Sequence, residues 1–185
     1  MAKKHNLYTK DIELVTKIKN GNNEAFRQLV MRYRMQMIKV ATAMLGNTND
    51  AEDVAQDSFI RFYNNINQYN GDAALGTYLT KIVMNLSLNL LKKQKSEKWK
   101  NNTLKVNYDK QNTDPYKNID NRALIEKSLQ LLPGDYRSVV VLRLVQGYST
   151  KETADLLGLP LGTVLSRLAR GQQKLKTIIN NLQKG

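Results

Sequence analysis

The sequence predicts an all-α protein built from two small helical domains joined by a basic linker. Three observations carry this. Apolar residues recur every three or four positions over residues 24–45, which is the period of a helix with one buried face. A lysine- and asparagine-rich stretch, residues 92–117, then shows few apolar residues and no period. Beyond it, capping residues, a glycine and a proline mark two short helices separated by a tight turn.

The elements follow in order. Phe26, Leu29, Val30, Tyr33, Met37, Val40, Ala41, Met44 and Leu45 line the first helix. The polar "GNTND" breaks it, and a second helix is expected from near Ala51, capped by Thr48, Asn49 or Asp50, with Val54, Ala55, Phe59 and Phe62 inward. "NQYNGDAALG" reads as a loop. A third helix is expected from about Thr77, burying Leu79, Ile82, Val83, Leu86 and Leu90. These give a first domain over residues 1–91, a linker over 92–117 and a second domain over 118–185.

In the second domain, Leu124, Ile125, Leu129, Leu131 and Leu132 predict a helix ending at "LPG", and Asp135 is a cap candidate for the next, which carries Val139, Val140, Leu142 and Leu144. Ser149 with Glu152 three residues on fits a capping box. Ala154 is small where a crossing helix must come close, and Gly158 suits a left-handed helix end. A last helix, led in by Pro160 or capped by Thr163, is expected to run to about Leu175. Val164 and Leu168 would face inward, leaving Ser166, Arg167, Arg170 and Lys174 outside. This is the pattern of a helix-turn-helix, whose second helix enters the major groove of duplex DNA.

Composition narrows the chemistry. The chain has no cysteine and one histidine, His5, which argues against thiolate metal sites, zinc chemistry, a Cys nucleophile and Ser-His catalysis. No cofactor is expected. No apolar run approaches a membrane span, and the basic start "MAKKHNLYTKD" is not followed by the apolar stretch of a signal peptide, so a soluble cytoplasmic protein is expected. The net charge of +13 favours a polyanionic partner. That charge is uneven: +3 over residues 1–91, +5 over 92–117 and +5 over 118–185.

The acids of the nearly balanced first domain stand out. Asp53 and Asp57 are one helical turn apart and share a face, with Glu52, Gln56 and Ile60 nearby. Such a face could serve as a metal-binding carboxylate cluster, as a docking surface for a partner, or as an ordinary solvated face. Against the first, no partner acid or histidine stands out.

Two longer motifs carry a resemblance. "LPGDYRSVVVLRLVQGYSTKETADLLGLPLGTVLSRLARGQQKL" is similar to region 4 of bacterial sigma factors, and most of all to the extracytoplasmic-function (ECF) class of the sigma-70 family. Pro160, Gly162, Thr163, Val164, Ser166, Arg167, Leu168, Arg170, Gly171 and Leu175 carry the match. "NTNDAEDVAQDSFIRFY" and "GTYLTKIVMNLSLNLLKK" resemble segments of the family's region 2. The motifs stand in the family's order around a linker and cover most of residues 24–176.

The resemblance implies an alternative sigma factor. Such a protein binds core RNA polymerase, directs it to promoter DNA and helps open the duplex, with no enzymatic activity of its own. Glu52, Asp53, Gln56, Asp57 and Ile60 would dock on the polymerase. Asn70, Gly71, Asp72, Tyr78, Lys81, Asn85, Asn89 and Lys92 would meet the minus-10 element. Thr163, Ser166, Arg167, Arg170 and Lys174 would meet the minus-35 element. An anti-sigma factor is the usual family regulator. Tyr78 stands where the family usually has Trp; either ring can pack inward or stack on a base. Trp99 lies in the linker. Leu165 and Ala169 occupy positions often basic or bulky and polar in the family, and neither can donate a hydrogen bond to a base; apolar contact with thymine methyls stays open for them. The rival readings are an autonomous helix-turn-helix regulator that needs no polymerase, and a metal-dependent nucleic-acid enzyme built on the acids near Asp53.

Overall fold

The computed structural model describes the backbone of residues 2–102 and 121–184, and the side chains of residues 10–97 and 121–184. Among the described residues every regular element is a helix: α1 (Ala2–Lys19), α2 (Asn23–Leu45), α3 (Thr48–Asn64), a 3-10 turn (Ile66–Gln68), α4 (Leu75–Asn102), α5 (Asn121–Leu131), α6 (Gly134–Val140), α7 (Thr150–Leu157) and α8 (Leu161–Lys184). Contacts divide the chain into two compact units, Met1–Thr42 with Asn47–Leu86, and Ala43–Gly46 with Ser87–Gly185. Residues 103–117 of the expected linker, and Trp99's side chain, lie outside what is described.

The core of the first unit is most of the set the periodicity picks out, Phe26 and Val30 being only half-buried, with an addition. Leu29, Tyr33, Met37, Val40, Ala41, Val54, Ala55, Phe59, Phe62, Leu79, Val83 and Leu86 are all buried. The addition is α1, whose start reads in the sequence only as a basic stretch. Its Leu14, Val15 and Ile18 are buried, and so is Asp11. The Asp11 carboxylate accepts from the Arg32 guanidinium at 2.6 Å and the Tyr33 hydroxyl at 2.5 Å, fixing α1 on α2. Burial, and then the hydrogen bond given to Asp11, raise Tyr33 above the ordinary tyrosine range.

Helix boundaries move in physically simple ways. The cap of α3 is Asn47, not Thr48, Asn49 or Asp50; its side-chain oxygen accepts from the backbone N–H groups of Asn49 and Asp50 at 2.9 and 3.4 Å. The next helix starts at Leu75, two residues before Thr77, with Ala74 O accepting from Thr77 N and Tyr78 N. Ile82 and Leu90 are half-buried rather than buried, while Leu75 and Met84 join the core. The same helix continues to Asn102, since Lys, Gln and Glu sustain a helix without any apolar period.

In the second unit Pro133, not Asp135, precedes α6, and Asp135 lies in its first turn. Beyond α6 the chain goes on as a π-type turn over Val141–Val145. Arg137 is buried and donates to the carbonyls of Gln130 at 2.5 Å and Leu132 at 2.9 Å, satisfying acceptors at the end of α5. Burial lowers its pKa from the usual arginine value. At Gly171 a Cβ would lie 2.9 Å from Val140 Cγ2 and 3.5 Å from Tyr136 Cβ, so α8 reaches α6 only because it carries no side chain there.

Candidate functional site

The turn between α7 and α8 forms as its residues predict. Ser149 accepts from Glu152 N, and the Glu152 carboxylate accepts from Ser149 N, completing the capping box. Gly158 takes the left-handed conformation, φ 63 and ψ 37, and its N–H returns to Ala154 O. Pro160 O receives Thr163 N at 2.9 Å and Val164 N at 3.1 Å, so Pro160 rather than Thr163 leads in α8. Ala154, Val139 and Val164 form a small core, against which Leu157, Leu159 and Leu168 pack. α8 extends nine residues past Leu175, to Lys184.

This packing sorts the side chains of α8. Arg170 and Lys174 are exposed, with Lys174 Nζ 5.8 Å from the Tyr136 ring centroid. Ser166 is exposed, but its hydroxyl donates to Thr163 O at 3.0 Å, which leaves its oxygen as an acceptor. Thr163 is half-buried. Arg167 lies 3.7 Å from Asp135 and its side chain keeps only 29% exposure, so it is partly held against α6. Leu161 and Leu165 are half exposed, at 50% and 52%.

In the first unit, Glu52, Asp53, Gln56, Asp57 and Ile60 all lie exposed on α3, opposite the buried Ala51, Val54, Ala55, Phe59 and Phe62. The apolar Met31 and Met35 are exposed on α2, and Arg34 of the same helix comes within 4.0 Å of Glu52. Both ends of that pair are open to water, so it adds little energy. Among the described residues no group of three His, Cys, Asp or Glu side chains is placed to hold a metal ion.

The third set falls in two places. Asn70 and Asp72 are exposed in the loop before α4, and Gly71 turns it at φ +82. Tyr78 does not stand free: its ring lies 5.1 Å from Tyr69 and 6.1 Å from Phe62, in edge-on contacts. The Tyr69 hydroxyl donates to Ala73 O at 2.8 Å and Lys19 Nζ donates to Tyr69 O at 3.0 Å, so the aromatic group also braces the loop. Lys81, Asn85, Asn89 and Lys92 form an exposed row along α4. Sequence reasoning misses Asp11, Lys19 and Tyr69 as supports. Leu14, Val15 and Ile18 at helical spacing are the available signal for α1.

An exposed α3 face carrying acids and Ile60 lies on one helical unit, and a basic helix-turn-helix on the other. Residues 29–97 match Sigma-70 region 2, and residues 122–175 match Sigma-70, region 4. The chain is 30% identical over 175 residues to the ECF RNA polymerase sigma factor SigM of Mycobacterium tuberculosis, covering 95% of this chain and 87% of that protein. It is 28% identical over 179 residues to the ECF RNA polymerase sigma factor SigW of Bacillus subtilis, covering 91% and 96%. Among solved structures, CnrH in complex with the cytosolic domain of CnrY shares the fold, at a TM-score of 0.67 and 24% identity over 93% of this chain and 98% of that one. The sigma factor RpoE of Bartonella quintana, solved with the anti-sigma factor NepR, does so at 0.66 and 21%, over 84% and 96%. The chain belongs to the ECF sigma factors of the sigma-70 family.

Proposed function

We infer that this chain is an alternative sigma factor that binds core RNA polymerase, brings it to specific promoters and assists their opening. The observation that carries this is the presence, in one chain, of region 2 and region 4 segments with a basic helix-turn-helix in the second. An autonomous regulator would have no use for the first segment.

The parts divide the work. The exposed acids of α3, with Gln56 and Ile60, dock on the polymerase by complementary charge, hydrogen bonds and apolar contact. The row Lys81, Asn85, Asn89 and Lys92, with the loop at Asn70, Gly71 and Asp72, meets the minus-10 element. Lysine binds phosphate there and asparagine reaches base edges. Tyr78 contributes by bracing that loop. Thr163, Ser166, Arg170 and Lys174 face the minus-35 element, and Arg167 contacts phosphate from its place beside Asp135. The chain acts in the cytoplasm, without catalysis of its own. No helix among the described residues is long and apolar enough to cross a membrane. An anti-sigma factor holds it inactive, a reading supported by the similar RpoE chain, which was solved with a partner of that kind.

The test is transcription by bacterial core polymerase on fragmented genomic DNA of the source organism, with and without the chain, mapping the starts. Chain-dependent starts at discrete sites support the reading. Tight duplex binding by the chain alone, with no specific starts, would replace it by an autonomous regulator. Joint replacement Asp53→Ala and Asp57→Ala is expected to weaken core polymerase binding by roughly tenfold, with the circular dichroism spectrum unchanged. Undiminished affinity would remove α3 from the interface.

A further inference from the structure

The outer face of α8 is not uniformly basic. At about 100° per residue, Leu161, Leu165 and Ala169 follow one another a turn apart on one side of that face. Arg170 and Lys174 occupy the other side, and Val164, Leu168 and Gly171 point into the protein. Leu161 and Leu165 are half exposed and Ala169 is exposed, although each lies on the helix that a helix-turn-helix inserts into the groove.

The polar groups that would read base edges are fewer than the sequence suggests. The Ser166 proton is committed to Thr163 O. Arg167 leans on Asp135. Over residues 161–174 the outer face between the apolar row and the basic row carries two polar side chains, Ser166, whose oxygen can accept, and Gln173.

Resting on the sigma-factor reading, we propose that the apolar row Leu161–Leu165–Ala169 reads thymine methyl groups in the major groove of the minus-35 element. Leu165 is the specificity-determining residue. The thymine C5-methyl is the one apolar feature of the base-pair edges in that groove. A leucine cannot pair with any donor or acceptor there, and burying one against a polar edge costs energy that a methyl does not. The charge around the row selects the occupant. Over residues 156–184 the chain has five basic residues and no acidic one, which suits the phosphates on either side of a groove and repels a basic protein surface. Arg170 and Lys174 then set register on the backbone while the apolar row supplies sequence preference.

The experiment uses the full chain bound to core polymerase. Duplexes are first selected from a randomised promoter library by holoenzyme, and each thymine in the upstream element is then replaced in turn by deoxyuridine, which removes only the methyl. At one or two positions affinity is expected to fall about fourfold, the value of one buried methyl. Leu165→Ala should fall by a similar factor on the thymine duplex and by little on the deoxyuridine duplex. Leu165→Gln should shift the selected base at that position from thymine towards adenine. Since Leu165 is exposed, thermal melting of each variant should match the parent.

Affinity indifferent to every methyl, or an equal Leu165→Ala loss on both duplexes, would overturn the proposal. Methyl-independent binding together with weaker polymerase or anti-sigma binding by Leu165→Ala would assign the row to a protein partner instead. If core polymerase enriches no duplex at all, the sigma-factor reading itself fails and the proposal with it. An enriched site with indifferent thymines faults only the proposal.

Discussion

Asp11 shows how much a single residue can hold. Its carboxylate is buried and takes hydrogen bonds from Arg32 and Tyr33. Because the folded chain keeps the Tyr33 proton above the usual tyrosine range, unfolding releases a proton once the pH passes about 10, the ordinary value. The unfolded state then binds fewer protons, so stability falls as pH rises beyond that point. Denaturant titrations at pH 9 and 11 should show this slope, and Tyr33→Phe should flatten it while costing about 1–3 kcal/mol at neutral pH for the Asp11 acceptor left short of a partner. None of this is legible in the sequence. A lone Asp in a lysine-rich stretch gives no sign of burial until the partner helix is in place, although Tyr33 itself reads as a core position. Tyr78 differs: both of its roles are open in the sequence, and in the structure its ring packs edge-on against Tyr69 and Phe62 while staying half-exposed.

At the scale of the element, local chemistry is most readable where it is self-contained. The capping box of α7 needs only Ser149 and Glu152, and it forms. Ser149→Ala should lower stability by about 1 kcal/mol, measured by thermal unfolding of the full chain. The glycine at 171 has a different reason to be there, the approach of α8 to Val140 and Tyr136. Gly171→Ile should destabilise by about 1–3 kcal/mol through overpacking and lower DNA affinity by tilting α8; a melting temperature equal to the parent's would refute the close approach. Helix ends are less readable. α4 outruns its apolar pattern, since solvated turns of Lys, Gln and Glu need no buried face to persist, whereas α8 runs on past Leu175 through Ile178, Ile179 and Leu182, half-buried and at helical spacing. The cap of α3 falls one residue before the expected candidates because four successive polar residues could each have served.

Over the whole molecule, the charge of +13 predicts binding that weakens steeply with salt. Holoenzyme affinity for a selected promoter should fall linearly in log–log form. Arg170→Ala should reduce the slope by about one, as expected for one lost phosphate contact; an unaltered slope would mean that Arg170 touches no phosphate. The order of the two helical units is legible because each carries its own long motif, and the helix-turn-helix is legible from caps, glycine and charge alone. A docking role for Glu52, Asp53 and Asp57 is not legible without kinship, because acids look the same on a solvated face and on an interface. Ile60, exposed on the same face of α3, is what gives that face an apolar component.

The turn at Gly158 has one more consequence, and it is stereochemical. Open space surrounds the position where an L-residue would place its Cβ, so size is not what the turn selects. Its φ of 63 and ψ of 37 are the mirror image of ordinary helical values. The position therefore discriminates by handedness: L-alanine must strain to enter it, whereas D-alanine would be entering its own helical basin. The angle between α7 and α8 depends on the one residue type in the genetic code that has no hand.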